Sequence, residues 1–160
     1  MEASRPAGQG IGVGVAAVIT NKQGQILLGK RKGSHGSGSW QFPGGHLEYQ
    51  EELLTAAERE TAEETGLKVK GVRVGAATND IFVTDNKHYI TLFVSCEMLD
   101  ADAEPELMEP EKCHGWHWRT WEDLAEIKAN GESSGDKLFL PMTNLLKQFA
   151  SLDDLRHKFR

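Results

Sequence analysis

The order of elements along this chain predicts a mixed α+β layer domain, and three observations carry that prediction. Strand-like patterns open the chain, a single strongly helix-forming stretch interrupts them over residues 51–65, and helical patterns return only near the end. A doubly wound parallel sheet would need more helices between its strands. The 160 residues, 39% hydrophobic and 26% charged, suit one soluble domain spanning 1–160.

Residues 10–29 read as a hairpin: an apolar run over 13–19, the turn Asn21-Lys22-Gln23-Gly24, and the run Gln25-Ile26-Leu27-Leu28. The Gly/Ser stretch 33–39 reads as a flexible loop entering the short strand Trp40-Gln41-Phe42, which Pro43-Gly44-Gly45 stops. Gly66 has the position of a C-terminal cap for the helix of 51–65. Residues 69–77, 81–84 and 88–98 are predicted strands, and 97–113 an acidic loop punctuated by prolines. Trp116-His117-Trp118 alternates like a strand, residues 120–127 form a short helix capped at Thr120, and residues 138–149 form another. Residues 1–10 are expected to be disordered, and 150–160 form a tail that matches no recognised pattern.

Charge is segregated. Residues 3–47 hold five bases and no acid, residues 48–64 hold seven Glu and one Arg, and residues 97–111 hold seven acids and no base. The net charge of −6 is the charge of residues 45–67 alone, since the remainder has 17 bases and 17 acids. A polymer-backbone binder needs the opposite sign, so nucleic acid polymer is not an expected partner. No apolar run approaches membrane-spanning length, and the first ten residues lack the core of a signal peptide, so a cytoplasmic or nuclear location and no membrane partner are expected. Cys96 and Cys113 are read as free thiols. Cys113, His114 and His117 lack the paired spacing of a zinc site.

The helix concentrates the anomaly. With Glu60 at the origin and about 100° per residue, Leu53 falls at about 20°, Glu64 at about 40°, Ala57 at about 60° and Glu63 at about −60°. A stripe that begins apolar therefore continues into three carboxylates within one turn, where like charges repel. Two explanations remain open on spacing alone: a solvated helix end with Arg59 neutralising Glu63, or a bound divalent cation such as Mg²⁺, which favours oxygen ligands.

Gly45, Glu51, Arg59, Glu60, Glu63, Glu64 and Gly66, spaced Gly-x5-Glu-x7-Arg-Glu-x-x-Glu-Glu-x-Gly and followed by Leu67, resemble the signature of the Nudix hydrolases, which cleave nucleoside diphosphates linked to another moiety. Thr61 departs from the usual aliphatic residue, and Gln50 from the usual acidic residue or Gly. Leu27-Leu28-Gly29-Lys30-Arg31-Lys32, Phe42-Pro43-Gly44-Gly45-His46-Leu47-Glu48, Asn79, His88-Tyr89, Glu109-Pro110-Glu111-Lys112-Cys113 and the three tryptophans 116, 118 and 121 are similar to the eukaryotic MutT-like nucleotide diphosphatases.

That resemblance implies an α/β/α sandwich, a mixed sheet between helices, and a Mg²⁺ (or Mn²⁺) cofactor. It implies Glu60 and Glu64 as metal ligands, Glu63 as a further ligand or the group orienting the attacking water, and Arg59 as the residue orienting the carboxylates. Glu51 pairs with Arg59 or serves the metal indirectly, a carbonyl of Gly44 or Gly45 completes the coordination, and Glu109 or Glu111 is a candidate base or outer ligand. Arg31 and Lys30 are placed to hold phosphate oxygens, with Gln41, Phe42, Gly45, Thr91, Phe139, Leu140 and Pro141 near the base. Leu140 stands where Trp is common, which suggests a roomier pocket. His46 and His88 are further candidate substrate contacts, and a homodimer is expected.

The implied reaction is Mg²⁺-dependent cleavage of nucleoside triphosphates, dGTP-like or modified purine dNTPs, to monophosphate and pyrophosphate. The alternatives are hydrolysis of a non-nucleotide diphosphate such as an isoprenoid diphosphate, and an inactive binding module on the same fold.

Overall fold

Strand β1 (Gly12–Thr20) is the axis on which the site is built, because it changes partners partway along its length. In this computed structural model, which describes residues 10–33 and 35–160, β1 pairs along its full length in parallel with β6 (Lys87–Met98). On its other side it pairs antiparallel with β4 (Gly44–His46) through Gly14–Ala16, and with β2 (Ile26–Arg31) only at Thr20. The turn between β1 and β2 is held by Asn21, whose Oδ1 accepts from the amides of Gln23 (3.0 Å) and Gln25 (2.9 Å). β2 then leaves β1 and pairs with β3 (Ser39–Gln41) and β7 (Cys113–Arg119). Of the disorder expected over residues 1–10, all but Gly10 lies outside the described residues.

β5 (Val69–Phe82) lies beyond β6, and β8 (Lys137–Leu138) pairs in parallel with β3, giving the order β5-β6-β1-β2-β3-β8 with β4 and β7 attached to β1 and β2. Helix α1 (Leu53–Thr65) packs on one face through Ala56 and Ala57, against Val15, Ala17, Ile19, Leu27, Val69 and Val94. Helices α2 (Trp121–Ser134), α3 (Leu140–Lys147) and α4 (Leu152–Lys158) cover the other through Trp121, Leu124, Met142, Leu145 and Leu155. A mixed sheet between helical layers is the α/β/α sandwich. No helix among the described residues is long and apolar enough to cross a membrane.

Four local expectations change. Gly44–His46 is a strand rather than a stop: a Cβ on Gly44 would sit 2.2 Å from the Val15 carbonyl oxygen, so glycine is what lets β4 approach β1. Strands 69–77 and 81–84 are one strand, because the polar break Thr78-Asn79-Asp80 is bonded inside the fold, with Thr78 and Asp80 buried. The helix of 120–127 runs on to Ser134 after a Thr120–Asp123 capping box, while Leu138, expected to open the last helix, ends strand β8, and α3 starts at Leu140 with Pro141 in its first turn. The tail is ordered: Ser151 caps α4, whose first turn is acidic and last turn basic, and Leu155 and Phe159 enter the core.

Candidate active site

The acidic end of the site forms where α1 runs along β4. Gly66 (φ 72°) ends the helix, so Glu60, Glu63 and Glu64 occupy its last turns beside the Gly44-Gly45 backbone. A Cβ on Gly45 would meet the Glu60 carboxylate at 2.4–2.6 Å; only bare backbone accommodates that side chain. Thr61, the departure from the signature, is fully buried, and its hydroxyl donates to the Ala57 carbonyl at 2.7 Å, so the polar atom is satisfied within the helix.

Arg59 is the hub. Its Nε and Nη2 form a two-pronged bond to Glu51 (2.7 and 3.0 Å), Nη1 reaches Glu60 (2.9 Å) and Glu63 (3.2 Å), and Nη2 also donates to the His46 carbonyl at 3.0 Å. One guanidinium thus ties the helix to the strand and the preceding loop. Glu51 lies below the usual carboxylate range because Arg59 bonds it, and the same bond, with Glu60, raises Arg59.

Glu64 is the opposite case. Burial, then the charges of Glu60 and Glu109, push it up to about 9, against one backbone donor from Gly44. The two carboxylates stand against each other with Arg59 bonded to Glu60 but not to Glu64. Among the described residues no three His, Cys, Asp or Glu side chains converge as a ready metal cage. A buried all-oxygen pair of which only Glu60 has a cationic partner nevertheless fits Mg²⁺, which takes one or two carboxylates and fills its shell with water and phosphate oxygens. Glu63 is turned to Arg59 and exposed, so it is not part of that pair.

A cleft of about 580 Å³ leads from these carboxylates into the gap where β4 and β2 diverge. Its far wall is aromatic: Tyr89 and Phe93 of β6, Phe82 of β5, and Phe139 at the start of α3. His35 stands edge-on to Phe82 (4.7 Å) and Phe139 (5.4 Å), with its Nδ1 3.0 Å from Asp85. Arg31 lies 4.1 Å over the Phe139 ring, with Nε donating to the His35 carbonyl and Nη1 to Gln41. Burial pulls its pKa below that of a free guanidinium.

The structure brings Arg31, Gln41, Phe42, Gly44, Gly45, Arg59, Glu60, Glu63, Glu64, Thr91, Phe139 and Pro141 to this one cleft. Other expected residues fall elsewhere, among them Glu111 and His88, which bonds Asn79 instead of lining the cleft. Leu140, first residue of α3, does not line it, and Phe139 supplies the ring there instead, so the roomier pocket expected from Leu140 has no basis in this lining. Lys30 alternates away from Arg31 to pair with Asp136 at 3.2 Å, and Lys32 and Lys112 are the amines at the cleft. Glu51 pairs with Arg59 as expected and stands behind it, outside the cleft lining. Of the downstream acids, Glu109 faces Glu64 and pairs with Lys112 at 3.1 Å. Sequence reasoning missed His35, Phe82, Lys112 and Met142, which lie on separate elements and share no spacing that could have found them.

The NUDIX domain family matches residues 10–141. Over 121 residues the chain is 32% identical to an RNA pyrophosphohydrolase of Erwinia tasmaniensis, covering 65% of this chain and 66%, just under two thirds, of that relative's length. The crystal structure of a MutT NUDIX hydrolase from Burkholderia pseudomallei superposes with a TM-score of 0.61 at 27% identity, over 71% of this chain and 86% of that one. A NUDIX hydrolase from Nitrosomonas europaea shares the fold over 94% of this chain and 92% of its own, with a TM-score of 0.69 at 20% identity. The signature residues gathered on α1 and β4 and the match over most of the chain agree: this protein belongs to the NUDIX domain family.

Proposed function

We propose that this protein is a Mg²⁺-dependent hydrolase that cleaves nucleoside triphosphates of the dGTP type between the α and β phosphates, releasing monophosphate and pyrophosphate. The observation that carries this reading is a single cleft with paired carboxylates at one end and an aromatic wall at the other, about 580 Å³ in volume. Polyphosphate chemistry suits the first end and a stacked base the second.

Glu60 and Glu64 hold the cation, which when bound neutralises phosphate oxygens and makes water a better nucleophile. Arg59 fixes Glu60 through its bond at 2.9 Å and is itself fixed by Glu51. Glu63, at the cleft and held by Arg59, orients the attacking water. Lys32 and Lys112 offer point charges to the outer phosphates, and Phe82, Tyr89 and Phe139 exclude water around the base.

A second reading has its own support: the relative named an RNA pyrophosphohydrolase points to pyrophosphate release from RNA. A panel of dGTP, 5′-triphosphorylated RNA and geranyl diphosphate, assayed with Mg²⁺ for pyrophosphate and phosphate, decides between them. Preferred pyrophosphate release from dGTP is expected. Faster release from RNA would replace the first reading with the second, and release only of phosphate from geranyl diphosphate would overturn both.

A further inference from the structure

The Gly/Ser-rich loop before β3 has no part in the chemistry above, yet it reaches across the aromatic end of the cleft. Its His35 extends to the turn between β5 and β6, where Nδ1 stands 3.0 Å from Asp85 Oδ2. An ionised carboxylate only accepts, so Nδ1 is the donor. The same imidazole lies edge-on to Phe82 of β5 and to Phe139 at the start of α3, and it lines the cleft. One side chain thus ties its own loop to two segments distant in sequence.

The loop is free at its ends and seated in its middle. Gly33 (φ 108°) and Gly38 (φ 81°) adopt the left-handed backbone that glycine enters freely, and a Cβ on either would meet open space. Between them the backbone at Gly36 lies on the Phe139 ring, which a Cβ would approach to 2.8 Å, and Arg31 Nε donates to the His35 carbonyl at 3.0 Å. Asp85 is exposed and His35 only half-buried, so water replaces their bond when it breaks, and the tie is reversible. The cleft keeps about 580 Å³ with the bond made, room enough for a small ligand, so the loop closes over a ligand rather than in its place.

We infer that this loop is a gate and the His35–Asp85 bond its latch: the loop swings on Gly33 and Gly38 to admit a ligand to the aromatic end, and the bond holds it shut once the ligand is inside. Closure of this kind keeps water from the bound molecule and sets how fast it enters and leaves. The choice of a nucleotide as probe rests on the proposed function, and the gate itself does not.

The test follows dGMP binding in Mg²⁺ by stopped flow in the wild type and in His35→Ala, Asp85→Ala and Asp85→Asn. A latch slows entry and exit alike, so the two alanine variants are expected to raise the association and dissociation rates together, about fivefold, and to leave the dissociation constant within about twofold of the wild type. Asp85→Asn keeps an acceptor for Nδ1 and should retain the wild-type rates; rates as fast as those of Asp85→Ala would overturn the latch. Faster dissociation alone would make His35 a fixed wall, and faster association alone would make it a plug in the ligand's place. Either result, or no change in either rate, overturns the inference. A readout without ligand stands beside these: the Arg31 Nε proton, bonded to the His35 carbonyl, should exchange with solvent about fivefold faster in Asp85→Ala, and an unchanged rate overturns the gate. If dGMP binds no variant and not the wild type, the nucleotide reading fails, and the gate is judged on that proton.

Discussion

The acidic and aromatic ends of the cleft are built in different ways. The acidic end comes from one continuous stretch, residues 44–64: a glycine strand, a loop and a helix, clasped by Arg59. The aromatic end is assembled from β3, β5, β6, α3 and the loop before β3, brought together only by the sheet. The first end is local and electrostatic, with Glu64 buried beside the charges of Glu60 and Glu109; the second is tertiary and already satisfied by its own packing and hydrogen bonds. Chemistry is thus encoded by spacing, and selectivity by fold.

The strongest way to break that division is at the acidic end. Glu64→Gln is expected to lower kcat/KM about a thousandfold in saturating Mg²⁺, about 4 kcal/mol of transition-state stabilisation, with substrate affinity little changed. Steady-state kinetics on the best substrate of the panel would check it. Gly45→Ala should cost about a hundredfold, because its Cβ would displace the Glu60 carboxylate by the better part of an ångström while leaving the core untouched. Glu60→Gln made in the Gly45→Ala background should then add much less than it does alone.

At the aromatic end the expected loss is smaller and of another kind. Phe139→Ala removes both a wall and the platform beneath Arg31, and should raise KM about tenfold at nearly constant kcat. A matching fall in kcat would instead tie the two ends together.

pH separates the two ends without kinetics. In metal-free protein Glu64 is raised above its value in the unfolded chain, so the folded state holds the extra proton, and stability is lost as pH rises from about 4.5 through about 9. Unfolding free energies measured in chelator across that window should fall, by no more than about 1.4 kcal/mol per pH unit, and Glu64→Gln should flatten the slope. The smallest effect is expected in the loop between the ends. Gln50 adopts φ 64°, a conformation glycine enters freely, so Gln50→Gly should stabilise by about 0.5–1 kcal/mol in urea unfolding.

The same division explains what could be read in advance. The hairpin turn and α1 with its Gly66 cap follow from local spacing and cap chemistry, and they stand where expected. β4 was hidden because Gly44-Gly45 has the composition of a turn, and its meaning appears only where a Cβ on Gly44 would stand 2.2 Å from the Val15 carbonyl oxygen. The continuity of β5 was hidden because Asp80 looks like a strand breaker until Thr91 and Asn144, 11 and 64 residues away, are seen to satisfy it. Phe139 rather than Leu140 faces the cleft because the helix starts between them, and a boundary one residue off reverses that assignment. Helix α4 was legible in principle, since Ser151, two acids and three bases follow capping and dipole rules.

The acidic segment after β6 also closes the end of α1. The amides of Glu106 and Met108 donate to the carbonyls of Thr65 and Glu64, at 2.8 and 3.3 Å, and the Trp116 indole donates to the Glu64 carbonyl at 3.1 Å. Because those bonds break together when the last turn of α1 unwinds, the helix end and this segment form one opening unit in hydrogen exchange. Occupancy of the carboxylate pair would then be visible from afar, as slowed exchange at the amides of Glu106 and Met108, so that the segment reports on the cation without touching it.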